Sequence, residues 1–364
     1  MTTIHDLPTP ALLLDLDRLD GNLRRMAAKA ERFGVALRPH IKTHKCVEVA
    51  RRQAQQGCRG LTVSTLYEAR VFCDHGFDDL TWAFPVILNR IDEAREVAQR
   101  CTLRLVVDSV VAIEALEASR HPFHVWLKVD CGYHRAGVDP ASQAAGELAG
   151  RLDRSPTLLF DGLLTHSGHA YEASSREELV RVAEEERRVM VELARRLRDG
   201  GLQVPAVSVG STPALAAAEQ LEGVDEIRPG NYAFYDLSQT RLGSCDAVDC
   251  AVTVLASVVS SPPAGGHSVI DAGALALSKD AGPAQLTPQV YGQVFEDYAA
   301  GSLSPEMIVD SLSQEHGILS QARPVGSRVR ILPTHSCLTV AHFEDYALVQ
   351  GEEVVDRWKI WRGR

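Results

Sequence analysis

The chain has 364 residues and a formal net charge of −10, from 38 Lys and Arg against 48 Asp and Glu. At roughly 150 residues per domain, this length points to two domains or to one large domain with an appendage. An acidic balance argues against a general nucleic-acid binder, which needs a basic face to displace counterions, and no apolar run approaches the ~18 residues of a membrane helix.

The opening Met-Thr-Thr-Ile-His-Asp lacks the basic and apolar regions of a signal peptide, so a soluble cytoplasmic protein is expected. A strand over 11–17 precedes an amphipathic helix over 19–33. Eight short β-rich runs then follow, at 35–42, 60–65, 80–84, 103–109, 124–130, 160–166, 206–211 and 226–232. Helical patterns such as 47–56, 68–75, 92–99 and 175–199 separate them; the last has a charged face that reads as solvated surface. Eight strands alternating with helices predict a (β/α)8 barrel. A doubly wound sheet is the alternative, but no G-x-G-x-x-G follows the first strand.

The character changes near Leu242, after which 251–259, 268–272, 328–332, 346–350 and 354–361 read as strands. Residues 283–305, which contain Pro and Gly, are expected to be loop with little regular structure. The expected organisation is a barrel over 11–240 and a mainly-β domain over 241–364 joined by 1–10, with the first strand a candidate to join it as well.

In such a barrel, chemistry collects after the C-terminal ends of the strands. The first barrel strand ends Arg38-Pro39-His40-Ile41-Lys42-Thr43-His44-Lys45. Alternation puts Lys42 opposite Ile41; with Ile41 toward the helices, Lys42 faces the barrel mouth. Crowded by His40, His44 and Lys45, its ammonium form is disfavoured, as a Schiff-base lysine requires. A strand-end lysine can equally be solvated or ion-paired. Only six of the 38 basic residues are lysines, which fits a coding bias toward Arg but makes an interior lysine more informative.

The seventh barrel strand runs into Gly210-Ser211-Thr212-Pro213 and then a helix over 214–221, and the eighth into Arg228-Pro229-Gly230-Asn231-Tyr232. Small residues and a helix N-terminus there suit an anion, and the loops after these two strands are a frequent phosphate site. Each alone could be an ordinary cap or turn. Together they favour a phosphate-bearing ligand, and phosphate with a strand-end lysine suggests pyridoxal phosphate. In the β domain, His335-Ser336-Cys337 places imidazole and thiolate at i and i+2 on one side of an extended segment, a pair that suits Zn²⁺. His166 and His169, after the sixth strand, could be bases, metal neighbours or packed histidines. The eight cysteines are spread without a CxxC pair, which points to reduced thiols.

With these residues in hand, the sequence resembles the fold-type III pyridoxal phosphate enzymes, and within them the group of D-threonine aldolases, eukaryotic-type D-serine dehydratases and D-3-hydroxyaspartate dehydratases. The resemblance runs nearly end to end. It rests on Thr9-Pro10-Ala11 with Asp15 and Asp17, the run from Arg38 to Lys45, Val129 to Gly132 with Arg135 and Gly137, Thr165 to Tyr171, the two phosphate loops, Asp271-Ala272-Gly273, Glu315-His316-Gly317 and His335 to Cys337. It implies an alanine-racemase-like barrel with a β domain, a homodimer, and a D-amino acid as substrate.

The resemblance also implies roles. Lys42 would carry pyridoxal phosphate; Ser211, Thr212, Gly230 and Asn231 would cradle its phosphate with Tyr232 beside them; Arg135 would lie near its ring. His335 and Cys337 would hold a divalent metal, Zn²⁺ first and Mn²⁺ second. Cysteine in that second position is similar to the dehydratases, whereas some aldolases carry aspartate. Thr334 departs from the asparagine that often precedes the histidine. The expected reaction is therefore metal-assisted loss of the β-hydroxyl to give a keto acid and ammonia. The alternative is an aldolase that cleaves Cα–Cβ with His169 or His166 as base. A racemase or a non-catalytic cofactor-binding protein is the alternative of another class.

Overall fold

The computed structural model describes residues 2–262 and 265–363; residues 1, 263–264 and 364 of the expected β domain lie outside the described residues. After β1 (Ala11–Asp15), the barrel strands are β2 (Ala36–Leu37), β3 (Leu61–Val63), β4 (Asp79–Pro85), β5 (Thr102–Val107), β6 (His124–Lys128), β7 (Leu159–Leu164), β8 (Ala206–Val209) and β9 (Glu226–Ile227). They pair in parallel in the order β2-β9-β8-β7-β6-β5-β4-β3. The ring closes between β2 and β3 through the His40–Thr62 bridge, where the Thr62 amide donates to Pro39 O at 2.8 Å.

Local signals set the helix boundaries. The first helix, Leu16–Phe33, begins three residues before the expected 19, because the Asp15 carboxylate accepts the Arg18 amide at 3.0 Å; it ends on Gly34 at φ 66°. Thr65, Ser109 and Ser175 cap three later helices in the same way.

Two barrel strands are shorter than expected. The regular strand in the run at 35–42 is only Ala36–Leu37, before a 3₁₀ turn at Ile41–Thr43, and that in the run at 226–232 only Glu226–Ile227, before a 3₁₀ turn at Asn231–Ala233. Pro39 and Pro229 bring no amide of their own, and beyond the strands pairing persists as single bonds, the His40 amide donating to Pro229 O at 2.9 Å. Both segments turn across the barrel mouth instead, and Ile41 is buried while Lys42 is open to the cavity.

The second sheet adds β10 (Val252–Ser260), β11 (Ser268–Ile270), β12 (Gly292–Asp297), β13 (Ser302–Leu312), β14 (Gly317–Leu319), β15 (Arg328–Pro333), β16 (Asp345–Gln350) and β17 (Glu353–Lys359). Pairing of β10 with β11 closes β10-β11-β14-β13-β12-β15 into an antiparallel barrel. β1 lies in this sheet, antiparallel to β10 and parallel to β16, so residues 11–15 belong here rather than to the (β/α)8 barrel. Its alternation shows why: Leu12 and Leu14 face the main core, and Leu13 faces a smaller cluster with Leu255, Ala347 and Val349.

The expectation of irregular loop over 283–305 is overturned, since β12 and the start of β13 fall within it. Pro305 stands between the pairs Phe295–Leu303 and Gln293–Ile308, where the register shifts, and a bulge is where a strand tolerates proline. One continuous apolar core joins the two units, from Leu61 and Val125 in the barrel to Val252, Ile331 and Tyr346 in the sheet.

Candidate active site

A cavity of about 780 Å³ lies between the C-terminal ends of the barrel strands and the β domain. The barrel supplies His40, Lys42, Lys128, His166, Ser211, Thr212, Arg228, Gly230 and Asn231; the β domain supplies Asp280, His335 and Cys337. The strand-end residues singled out from sequence thus meet the His-x-Cys pair in one space. Arg135 also reaches it, its guanidinium 4.8 Å from the Tyr133 ring centroid.

Lys42 enters on the 3₁₀ turn, where its amide donates to His40 Nδ1 at 3.4 Å. Enclosure by protein lowers its pKa, with Arg135 and Lys45 adding to the effect and Cys337 and Glu68 opposing it. Lys45, at φ 48°, is paired with the fully buried Glu68, which also accepts the Ser64 amide at 2.6 Å. Burial and then Lys42 push both His40 and His166 well below the ordinary imidazole range, so both rings are neutral. Nδ1 of His166 donates to Gly210 O at 2.8 Å, which leaves Nε2 as the free lone pair.

The two anion loops pack tightly. Gly210 sits at φ 133°, and a Cβ at Gly230 would lie 2.9 Å from His40 O. Ser211 and Thr212 are buried; Ser211 Oγ is 3.2 Å from Ser167 Oγ, and Thr212 Oγ1 accepts the Tyr232 amide at 3.2 Å. Among the described residues, the amides of Ser211, Thr212, Gly230 and Asn231 donate no hydrogen bond to the protein. Buried amides without partners, facing a cavity with a lysine beside it, fit the phosphate and aldehyde ends of pyridoxal phosphate.

Asn231 and Tyr232 take different parts. Asn231 is buried; its Nδ2 donates to Asp236 at 2.6 Å and to Ser336 Oγ at 3.1 Å, and its Oδ1 has no partner. The Tyr232 ring turns away from the cavity into the core, where its hydroxyl accepts from Gln53 at 3.1 Å. Only its backbone stands beside the phosphate loop.

The metal candidates are not on an extended segment, as expected, but at the start of the helix Ser336–Val340, with His335 as its N-cap residue. Asp236 makes this turn, since its Oδ2 accepts the Ser336 amide at 3.0 Å and the Ser336 hydroxyl at 3.1 Å. Cys337 Sγ lies 3.2 Å from Thr43 Oγ1 and 3.7 Å from Asn231 Nδ2. Burial favours its neutral thiol, but His335 and Lys42 outweigh it and lower the pKa. Burial likewise opposes a charged His335, but Asp280 and Cys337 outweigh that and raise it.

An imidazole beside a thiol shifted toward thiolate is a fitting donor set for Zn²⁺. Among the described residues, no cluster of three or more His, Cys, Asp and Glu side chains is placed to hold a metal. Thr334 holds the segment by donating its hydroxyl to Val290 O at 2.7 Å.

His169 does not line the cavity; its ring packs near Gly132 and Tyr133, and its buried Nδ1 has no partner. Several residues that shape the site carry no local signal. Glu186, buried on the helix Arg176–Asp199, accepts the amides of Ser167 at 3.0 Å and Gly210 at 3.1 Å and so ties two site loops together. Burial raises its pKa, against those amides and Arg228. Arg228 is held by Ser208 Oγ and Thr165 O, and burial lowers it to about 10. Lys128, at the end of β6, is buried, and that burial with Arg228 lowers it to about 7. The scarcity of lysines could have drawn attention to Lys128; nothing local marks Glu186.

A lysine and two loops of free amides at the mouth of a (β/α)8 barrel, covered by a β domain with an adjacent imidazole and thiol, define a cofactor-dependent barrel enzyme of the alanine racemase fold. Residues 14–238 match the family described as "Alanine racemase, N-terminal domain" and residues 251–349 that described as "Putative serine dehydratase domain", and the chain belongs to this family. It is 39% identical to the D-threo-3-hydroxyaspartate dehydratase of Delftia sp. (strain HT23) over 99% of both chains. It is 33% identical to the D-serine dehydratase of Dictyostelium discoideum over 98% of this chain and 97% of that one.

Among solved structures, the Delftia enzyme superposes with a TM-score of 0.95 at 38% identity over 100% of both chains. A cysteine-to-alanine variant of it is known in a metal-free form. The D-threonine aldolase of Filomicrobium marinum superposes at 0.88 with 28% identity over 98% of this chain and 96% of that one. The expected fold and the expected lyase family are both borne out. Among the described residues, no helix is long and apolar enough to cross a membrane.

Proposed function

We propose that the protein is a pyridoxal phosphate- and divalent metal-dependent dehydratase that converts D-3-hydroxy amino acids such as D-serine, D-threonine or D-3-hydroxyaspartate into keto acids and ammonia. Zn²⁺ is the favoured metal, with Mn²⁺ second. The observation that carries this reading is the 3.2 Å approach of Cys337 Sγ to Thr43 Oγ1, the residue after Lys42, which puts the His–Cys pair and the lysine in one cavity. The Delftia dehydratase supports it, and its metal-free variant supports a metal at a cysteine in that family.

When bound, pyridoxal phosphate supplies an electron sink for charge at Cα, and the metal a Lewis acid for the β-oxygen. The chain's own residues do the rest. The amides and hydroxyls of Ser211 and Thr212, with the amides of Gly230 and Asn231, bind the phosphate. Lys42, whose ammonium is disfavoured, carries the cofactor and is the base placed for the Cα proton. His335 and Cys337 would hold the metal. Arg135 stands at the cavity near the ring position.

A D-threonine aldolase is the second reading, favoured by one feature: His166 lines the cavity with Nε2 free, in place to act as the base. His169 is the weaker candidate because it stands outside the cavity lining. A homodimer is part of the proposal, as is a cytoplasmic setting, which the eight free cysteines support.

Incubation with D-threonine, pyridoxal phosphate and Zn²⁺ separates the two reactions. The dehydratase reading predicts 2-oxobutyrate and ammonia; glycine and acetaldehyde would instead establish the aldolase.

A further inference from the structure

Asp280 stands on the loop between the helix Ala274–Leu277 and β12, and its Oδ2 lies 2.6 Å from His335 Nδ1. Its other oxygen is also engaged, accepting the Gly282 amide at 2.8 Å, so the carboxylate has one orientation. The loop is shaped to deliver it. Ser278 is buried at φ 65°, and its hydroxyl accepts the Asp280 amide at 3.1 Å. Gly282, at φ 82°, lies so close to the β15 end that a Cβ there would be 2.9 Å from Ser238 Oγ and 3.0 Å from Thr334 Cγ2. Farther along, Gln285 Nε2 donates to Tyr171 O at 2.8 Å, which pins the same loop to the barrel.

We propose that Asp280 is the positioning residue of the metal centre: by accepting a hydrogen bond from Nδ1–H it fixes the rotation and tautomer of His335 and leaves Nε2 as the metal donor. The inference rests on the proposed metal role of His335 and Cys337. Its physical basis is general, since an imidazole presents a lone pair on only one nitrogen in each neutral tautomer, and a carboxylate on the other nitrogen settles which one. Among the described residues no cluster of three donors forms, so the orientation of this one ring weighs directly on affinity. Asp280 touches neither substrate nor metal in this account.

The test is Zn²⁺ affinity of the cofactor-loaded enzyme after chelator treatment, by direct metal titration, for wild type, Asp280→Ala, Asp280→Asn, Asp280→Ser and His335→Ala. Asp280→Ala is expected to weaken Zn²⁺ binding by ~10–100-fold while leaving the cofactor absorbance unchanged. Asp280→Asn should lie closer to wild type, because its amide oxygen can still accept from Nδ1. Asp280→Ser keeps a hydroxyl for the Gly282 turn but is too short for the ring; it should behave as Asp280→Ala does and serves in its place if that variant does not fold. Wild-type affinity in a folded Asp280→Ala or Asp280→Ser overturns the inference. Equal Zn²⁺ affinity in wild type and His335→Ala is a different failure, that of the metal site itself.

Discussion

Lys42, Ser211 and Asn231 reach the cavity from turns that directly follow barrel strands, whereas His335 and Cys337 reach it from a helix start held by side chains far away in sequence. Asp236, 100 residues before Ser336, makes that turn, and Asp280, 55 residues before His335, aims the ring. The barrel wall therefore presents its residues on short segments that announce their role, with Glu186 clamping two of its loops from behind. The β-domain wall is assembled by long-range carboxylates. A cofactor with a fixed phosphate suits the first kind of wall, and a metal whose donors must be aimed suits the second. The two walls meet where Cys337 touches Thr43 and Asn231.

If the walls divide the labour in this way, damage to one should spare the other's ligand. The largest effect is expected at Lys42. Lys42→Ala should lower turnover by roughly 10²–10⁴-fold or more and abolish the covalent cofactor absorbance, yet bind Zn²⁺ as wild type does. Loss of both ligands in this variant would mean that the walls are not separable.

A smaller effect is expected from the buried clamp at Glu186. Glu186→Leu strands the Ser167 and Gly210 amides, at about 1–3 kcal/mol for each group left unpaired. Glu186→Gln keeps an acceptor and should lose much less in chemical unfolding. If both variants unfold at the same denaturant concentration, the clamp contributes through something other than those amides.

Lys128 gives a pH-dependent handle on the barrel wall. Its folded pKa, about 7, lies below the ordinary lysine value of 10.5 because burial disfavours the charged form. Below pH 7 the lysine is charged in both states and its full cost weighs on the fold. As pH rises from 7 toward 10.5, the folded state sheds the proton while the unfolded state keeps it, and stability recovers. Lys128→Met should therefore be most stabilising, relative to wild type, near pH 6, with the gap narrowing by pH 9. A constant gap across this range would contradict the placement.

The smallest effect is expected at Tyr232. Tyr232→Phe removes only its bond with Gln53, worth about 0.5–1.5 kcal/mol, and should leave cofactor affinity and turnover at wild-type values. A turnover defect would restore the ring to the site.

Legibility in the sequence followed the same division. The eight barrel strands were readable from alternation, and Lys42, the Ser211–Thr212 loop and the Gly230–Asn231 loop were readable because strand, turn and helix cap are consecutive in the chain. The limits of β2 and β9 were not, since alternation continues past Pro39 and Pro229 although the regular strands end at Leu37 and Ile227. Tyr232 sat beside a loop whose function it does not share, because adjacent residues on a 3₁₀ turn point in different directions. In the β domain, Pro305 obscured a bulged strand. The extended reading of His335–Cys337 failed because the cap comes from Asp236, which no local pattern connects to it. Glu186 and Asp280 are buried or half-buried carboxylates whose partners are distant, and periodicity carries no trace of them.

On the proposed function, one cavity joins a barrel-borne cofactor lysine to a β-domain metal that would act on the substrate's β-oxygen. The most direct measurement is keto acid release from D-serine by enzyme stripped of metal with a chelator, with the cofactor absorbance monitored in the same sample. The account predicts retained cofactor absorbance, loss of turnover and recovery on addition of Zn²⁺. Undiminished turnover by the stripped enzyme would contradict it.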